Sequence, residues 1–137
     1  MCRILIAEDD SVTRRLISLF LADQKFEVEA VSDGEQAWNN LNQGDYDLLV
    51  TDNEMPRLTG INLIRKLRKV GMRLPVIMVS GTFYAETVHD YTDLQIAAAV
   101  PKPFGRLEIV NAVRNALFSP TDFVSNQVQQ DRNTVTR

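Results

Sequence analysis

Short aliphatic runs of strand length alternate along this chain with longer stretches whose apolar residues return at helical spacing. The runs Ile4 to Ala7, Val28 to Val31, Leu48 to Thr51, Pro75 to Val79 and Ile96 to Val100 read as five strands. Most are nearly all apolar, as strands covered on both faces must be. Between them, Val12, Leu16, Leu19 and Phe20 mark a first helix, Ala37, Trp38 and Leu41 a second, and Ile61, Leu63, Ile64 and Leu67 a third. A fourth helix is expected near Glu86 to Tyr91. A fifth runs from about Leu107 to Phe118, with Leu107, Val110, Val113, Ala116 and Leu117 on one stripe and Pro120 just beyond its end. The alternation predicts an α/β fold, a doubly wound parallel sheet of five strands with helices on both faces. Right-handed crossovers place the functional crevice of such a sheet at the carboxyl ends of its strands.

The glycines at 34, 44, 60, 71 and 105 fall between or at the edges of these elements, and none belongs to a GxGxxG or GxxxxGK[ST] pattern. A nucleotide cradle is therefore not supported. After Phe118 the sequence turns polar, with only Phe123, Val124, Val128 and Val135 apolar, and reads as a tail or linker over 119–137 following a domain over 1–118. With 137 residues, 45% hydrophobic and 24% charged, the chain has the size and make-up of one globular domain. Its formal charge of -3 argues against a nucleic-acid-binding surface, which needs clustered excess base. The single cysteine, Cys2, excludes an internal disulfide and favours a cytoplasmic setting. No apolar run reaches the length of a membrane span.

Candidate chemistry gathers at the ends of the apolar runs. Glu8, Asp9 and Asp10 end the first, and Asp52 ends the third. Carboxylates converging at neighbouring strand ends repel strongly unless a cation or a proton relieves them. Ser80 ends the fourth run and Lys102 follows the fifth by two positions, at the same edge of the sheet. A carboxylate, a hydroxyl, an ammonium and an acidic pair suited to Mg²⁺ form a set that can hold a phosphoryl group. Each residue alone is weak evidence: an Asp at a strand end often caps a turn, and a Lys there is often a surface charge. His89, the only histidine, builds no catalytic set and reads as a surface residue on the fourth helix.

The stretches Ile-Leu-Ile-Ala-Glu-Asp-Asp, Leu-Val-Thr-Asp-Asn-Glu-Met-Pro with Gly60, Val-Ile-Met-Val-Ser-Gly, and Lys-Pro-Phe at 102–104 stand in one order and spacing. Together they resemble the receiver domain of bacterial two-component response regulators, over residues 3–118. That resemblance implies a flavodoxin-like sheet of strand order 2-1-3-4-5. It also implies a non-enzymatic signalling module in which Asp52 takes a phosphoryl group from a sensor histidine kinase and switches a surface read by a downstream output domain or protein. Mg²⁺ would be held by Asp9 and Asp52 directly, by Glu8 through water and by the backbone carbonyl of Glu54, whose side chain is placed to hinder attacking water. Ser80 matches the family's switch hydroxyl and Lys102 its phosphoryl-pairing lysine, with a cis Lys102-Pro103 bond. Asp10 lies one position past the acidic pair and is expected to cap the first helix.

One departure stands out. Three positions before the lysine the family usually carries an aromatic residue, and this chain has Ala99. The departure motivates a second reading, a pseudo-receiver that binds partners without being switched by phosphorylation. A third, a phosphatase of the haloacid dehalogenase type, ranks last, because its Asp-Xaa-Asp signature after the first strand is missing. No output domain fits after residue 118, so the chain reads either as a stand-alone regulator or as a receiver cut from a longer one.

Overall fold

The computed structural model describes residues 1–81 and 89–118, and the side chains of all of these except His89 and Asp90. Its elements in chain order are β1 (Arg3–Ala7), α1 (Ser11–Ala22), β2 (Glu27–Val31), α2 (Gly34–Gln43), β3 (Leu48–Asp52), α3 (Gly60–Lys69), β4 (Val76–Ser80), a 3₁₀ segment (His89–Leu94), β5 (Ala98–Pro101) and α4 (Arg106–Leu117). The strands pair in parallel throughout, in the order β2-β1-β3-β4-β5.

Because successive residues of a strand face opposite sides of a sheet, the aliphatic strands feed two cores at once. Leu5, Ala7, Leu49 and Met78 face α2 and α3, joining Ala37, Leu41, Leu63, Ile64 and Leu67. Ile4, Ile6, Val50, Ile77 and Val79 face α1 and α4, joining Ile17, Leu21, Ile109, Val110 and Val113. The central strands β3 and β4 are buried along their whole length. β2 lies at one edge, with Glu27 and Glu29 exposed, and β5 lies at the other. No helix of the described residues is long and apolar enough to cross a membrane.

The helix starts are set by side chains that accept from exposed backbone N–H groups. Asp10 accepts from Thr13 N–H at 2.9 Å, as its place in the sequence predicts. Asp33 accepts from Gln36 N–H at 2.8 Å, and Thr59 from Asn62 N–H at 3.3 Å.

Three expectations need correction. The apolar positions that mark α1 divide between two faces: Val12 is 66% exposed, Leu16 42% and Leu19 55%, whereas Phe20 packs with the buried Ile17 and Leu21 against the sheet. This helix carries two apolar stripes, Val12, Leu16 and Leu19 at one phase and Ile17 and Leu21 at another, and spacing alone cannot say which meets the sheet. In α4, Leu107 is 73% exposed and Ile109 takes the buried place. The chain before β5 is not an α-helix through Tyr91. Residues 89–94 form a 3₁₀ segment interrupted by the non-helical Tyr91, and the first half of the expected fourth helix, 86–88, lies outside the described residues. Gln95 then adopts a positive φ of 56°, so strand pairing resumes only at Ala98, two residues later than the apolar run suggests.

Candidate functional site

Parallel pairing brings four strand ends to one rim. β1 runs straight into Glu8, whose N–H donates to Val31 O at 3.1 Å. Asp52 closes β3 in register with Val79, and Ser80 closes β4 opposite Pro101. Lys102 N–H donates to Ser80 O at 3.0 Å, which seats the lysine beside β4, and the Lys102-Pro103 bond is cis.

The ammonium of Lys102 lies between two buried carboxylates, 2.9 Å from Glu8 Oε1 and 3.1 Å from Asp52 Oδ2. Glu8 is 1% exposed and Asp52 4%, whereas Asp9 faces solvent. One carboxylate oxygen from each of Glu8, Asp9 and Asp52 lies within 4.8 Å of the others. Glu8 Oε2 accepts from Asp10 N–H at 3.1 Å, but the buried Oε1 accepts no aligned hydrogen bond and has only the charge of Lys102 beside it. Hard oxygens, an under-bonded buried carboxylate and open water on the Asp9 side suit Mg²⁺. Its octahedral shell at about 2.1 Å sets neighbouring ligand atoms roughly 3 Å and opposite ones roughly 4 Å apart.

Charge crowding shows in the titration of the rim. Burial, then the neighbouring Glu54 carboxylate and the charge of Glu8, push Asp52 up from 3.8 to about 7, against the opposing pull of Lys102. Burial works against the Lys102 ammonium, but its close approach to the Glu8 and Asp52 carboxylates and their charges outweigh it and raise the lysine above its ordinary value. The rim without a metal holds more negative charge than one lysine offsets.

The loop after β3 is held from several sides. Glu54 N–H donates to Asp52 Oδ1 at 3.3 Å, and the Asn53 side chain accepts from Ile61 N–H at 3.0 Å. Gly60 packs so closely that a Cβ there would stand 2.3 Å from Asp52 O. Arg57, at a φ of 70°, reaches 2.8 Å to the buried Asp33, which also caps α2. Although burial alone would raise it, the bonds from Gln36 and Arg57 hold Asp33 below the usual carboxylate range. Asp33→Ala removes a helix cap and a loop anchor together, and urea unfolding should show a loss of about 2 kcal/mol.

Glu8, Asp9, Asp52, Glu54, Ser80 and Lys102 all lie on this rim, while Asp10 caps α1 as expected. Three contacts had escaped. Arg14 donates to the backbone carbonyls of Glu8 at 2.9 Å and Asp9 at 3.3 Å, clamping the acidic turn. The Asp33–Arg57 pair was missed, although Asp33 before a helical stretch is a legible cap. Glu54 is expected to offer its carbonyl to the metal and its side chain against attacking water, yet its carboxylate lies 2.7 and 2.8 Å from Ser80 Oγ. Long-range side-chain pairing of this kind leaves no local signal.

Residues 4–114 match the sequence profile of the response regulator receiver domain. The chain belongs to that family. The chain is 32% identical over 131 residues to a CpxR homolog, a transcriptional regulatory protein of Haemophilus influenzae, covering 92% of this chain and 56% of that protein. It is 30% identical over 123 residues to the DNA-binding transcriptional regulator NtrC of Bradyrhizobium sp. (strain RP501 Parasponia), covering 90% of this chain and 26% of that one. Across the first curated relatives the receiver spans from 11% to 56% of their length. Among solved structures, the receiver domain of the Francisella response regulator 1452 superposes with a TM-score of 0.78 at 28% identity, over 88% of this chain and 99% of that one. The response regulator TrrA of Thermotoga maritima, solved in complex with Mg²⁺–BeF, superposes with a TM-score of 0.73 at 27% identity, over 83% and 97%.

Proposed function

We propose that this receiver, over residues 1–118, takes a phosphoryl group on Asp52 from a sensor histidine kinase and relays the change to an output domain or protein. The observation that carries the reading is a buried carboxylate at a strand end, with Glu8 and Asp9 oxygens within 4.8 Å of it and the Lys102 ammonium at 3.1 Å. An Asp52 oxygen attacks the phosphorus of a phosphohistidine. The P–N bond breaks as the P–O bond forms, leaving a free histidine and an acyl phosphate.

Asp9 and Asp52 would hold Mg²⁺ directly, Glu8 would hold it through water and Glu54 through its backbone carbonyl. When bound, the ion supplies positive charge to the phosphoryl oxygens. Lys102 moves its contact from the bare carboxylate to those oxygens, and Ser80 donates its hydroxyl to one of them. Mg²⁺–BeF bound to the Thermotoga relative supports this ligand chemistry. The exposed stripe of Val12, Leu16 and Leu19 adjoins a hollow of about 320 Å³ lined by Thr13, Leu16, Lys102, Pro103 and Phe104. That apolar face beside Lys102 is the proposed kinase contact. The curated relatives extend well beyond the aligned stretch, which supports an output outside residues 1–118, with 119–137 as a tail or linker toward it.

The test is labelling with radioactive acetyl phosphate in the presence of Mg²⁺. The wild-type protein should take up label, and Asp52→Asn should take up none. Label retained on the variant would reject Asp52 as the acceptor.

One observation favours a second reading. Ala99 is half-buried in β5 opposite Met78, at the place where an aromatic side chain would swing inward. A pseudo-receiver that never switches follows if Mg²⁺-dependent labelling proceeds while affinity for the output partner stays unchanged.

A further inference from the structure

Ser80 is fully buried at the end of β4, and its hydroxyl is directed at both oxygens of the Glu54 carboxylate, at 2.7 and 2.8 Å. Glu54 stands two residues beyond Asp52, its own N–H on Asp52 Oδ1, and the residue is exposed to solvent. A carboxylate presents two anionic acceptors on one centre. That is the chemistry a phosphoryl group on Asp52 would offer to the same hydroxyl.

Resting on the reading of Asp52 as phosphoacceptor, we propose that the Glu54 side chain is an internal anion that competes with the phosphoryl group for Ser80 and thereby sets how readily this receiver enters its modified state. Both anions cannot take the one hydroxyl proton. A phosphoryl group brings a charge of about -2 beside that of Glu54, so the two also repel. Ser80 is fixed by the sheet, whereas Glu54 sits on an exposed loop and has solvent open to it. Glu54 is therefore the group that leaves, and its departure is part of the work of switching.

The role differs from that of a metal ligand. The backbone carbonyl of Glu54 survives any side-chain substitution, so truncating the side chain should tighten the bound state rather than weaken it. Glu54→Ala and Glu54→Gln separate the two parts of the effect. The alanine variant removes acceptor and charge, while glutamine removes the charge and keeps a weaker neutral acceptor.

The test is equilibrium binding of beryllium fluoride, a phosphoryl mimic that needs no leaving group, at saturating Mg²⁺ by calorimetry or ¹⁹F NMR. Glu54→Ala should bind about tenfold more tightly than wild type, the scale of one lost hydrogen bond to a charged acceptor. Glu54→Gln should fall between them. With Ser80→Ala as the background, most of the gain from Glu54→Ala should vanish. Unchanged or weaker binding by both Glu54 variants overturns the proposal, and so does an undiminished gain in the Ser80→Ala background, which would leave charge alone as the cause. Wild-type protein that binds no better than Asp52→Asn overturns the reading of Asp52 itself, and this proposal with it.

Discussion

Asp52→Asn should make the metal-free protein more stable at pH 8, the reverse of what removing a buried hydrogen-bonding group usually does. Asp52 titrates at about 7 in the folded protein against an ordinary 3.8. Between those values the folded chain keeps a proton that the unfolded chain has released, so stability is complete below about pH 4 and declines as pH rises toward 7. The displacement sets a ceiling of about 4 kcal/mol, and screening by water at the open rim reduces the expected loss to roughly 2 kcal/mol. Denaturant melts across pH 4–8 without divalent ions should show this decline in the wild-type protein and a flatter profile in Asp52→Asn. Lys102→Met should act in the opposite direction. It leaves Glu8 and Asp52 facing each other with no intervening cation, at a cost of about 2 kcal/mol, less than for a fully enclosed pair because the lysine side chain is a quarter exposed. Saturating Mg²⁺ should restore much of the wild-type loss and little in Asp52→Asn, because the ion binds only a rim that still has its full charge. A wild-type profile that rises between pH 4 and 7 would contradict the crowded-charge account.

Gly60→Ala should cost about 3 kcal/mol and lower phosphoryl uptake as well. The added carbon would lie 2.3 Å from Asp52 O and 3.0 Å from Asn53 Cα, and both contacts are backbone with little freedom to give way. Gly60 N–H also donates to Asn53 O at 3.1 Å, so opening the gap breaks the bond that draws α3 against the loop. Gly71 provides the control. It has open space around it and a φ of 88°, so Gly71→Ala meets only backbone strain of about 1 kcal/mol. Thermal melts and acetyl phosphate labelling separate the two: Gly60→Ala should fail in both, and Gly71→Ala should label normally.

The parts of this receiver that were legible in the sequence are those where one periodicity admits one answer. The strands β1, β3 and β4 are aliphatic on both faces, and a buried strand is the only place for them. Asp52, Ser80 and Lys102 were readable because parallel strands send their carboxyl ends to one edge, so position along the chain translates directly into position on the rim. α3 was placed correctly because Ile61, Leu63, Ile64 and Leu67 oppose an outer face of charge. α1 has no such contrast, because Val12, Leu16 and Leu19 offer a second apolar stripe beside that of Ile17 and Leu21. The contacts of Glu54 with Ser80 and of Arg57 with Asp33 join residues 26 and 24 positions apart, through side chains whose reach depends on loop shape. No local rule contains them.

A parallel sheet of five strands has two margins, and each is a template on which a foreign strand could be added. Here one margin carries the outward acids Glu27 and Glu29, and the other ends in Pro101, which has no N–H to offer. Self-templated growth into fibres is thereby discouraged at both borders. Replacing Glu27 and Glu29 with valine would remove their pairing with Arg3 and expose an adhesive border, a liability that slow aggregation at high concentration would reveal.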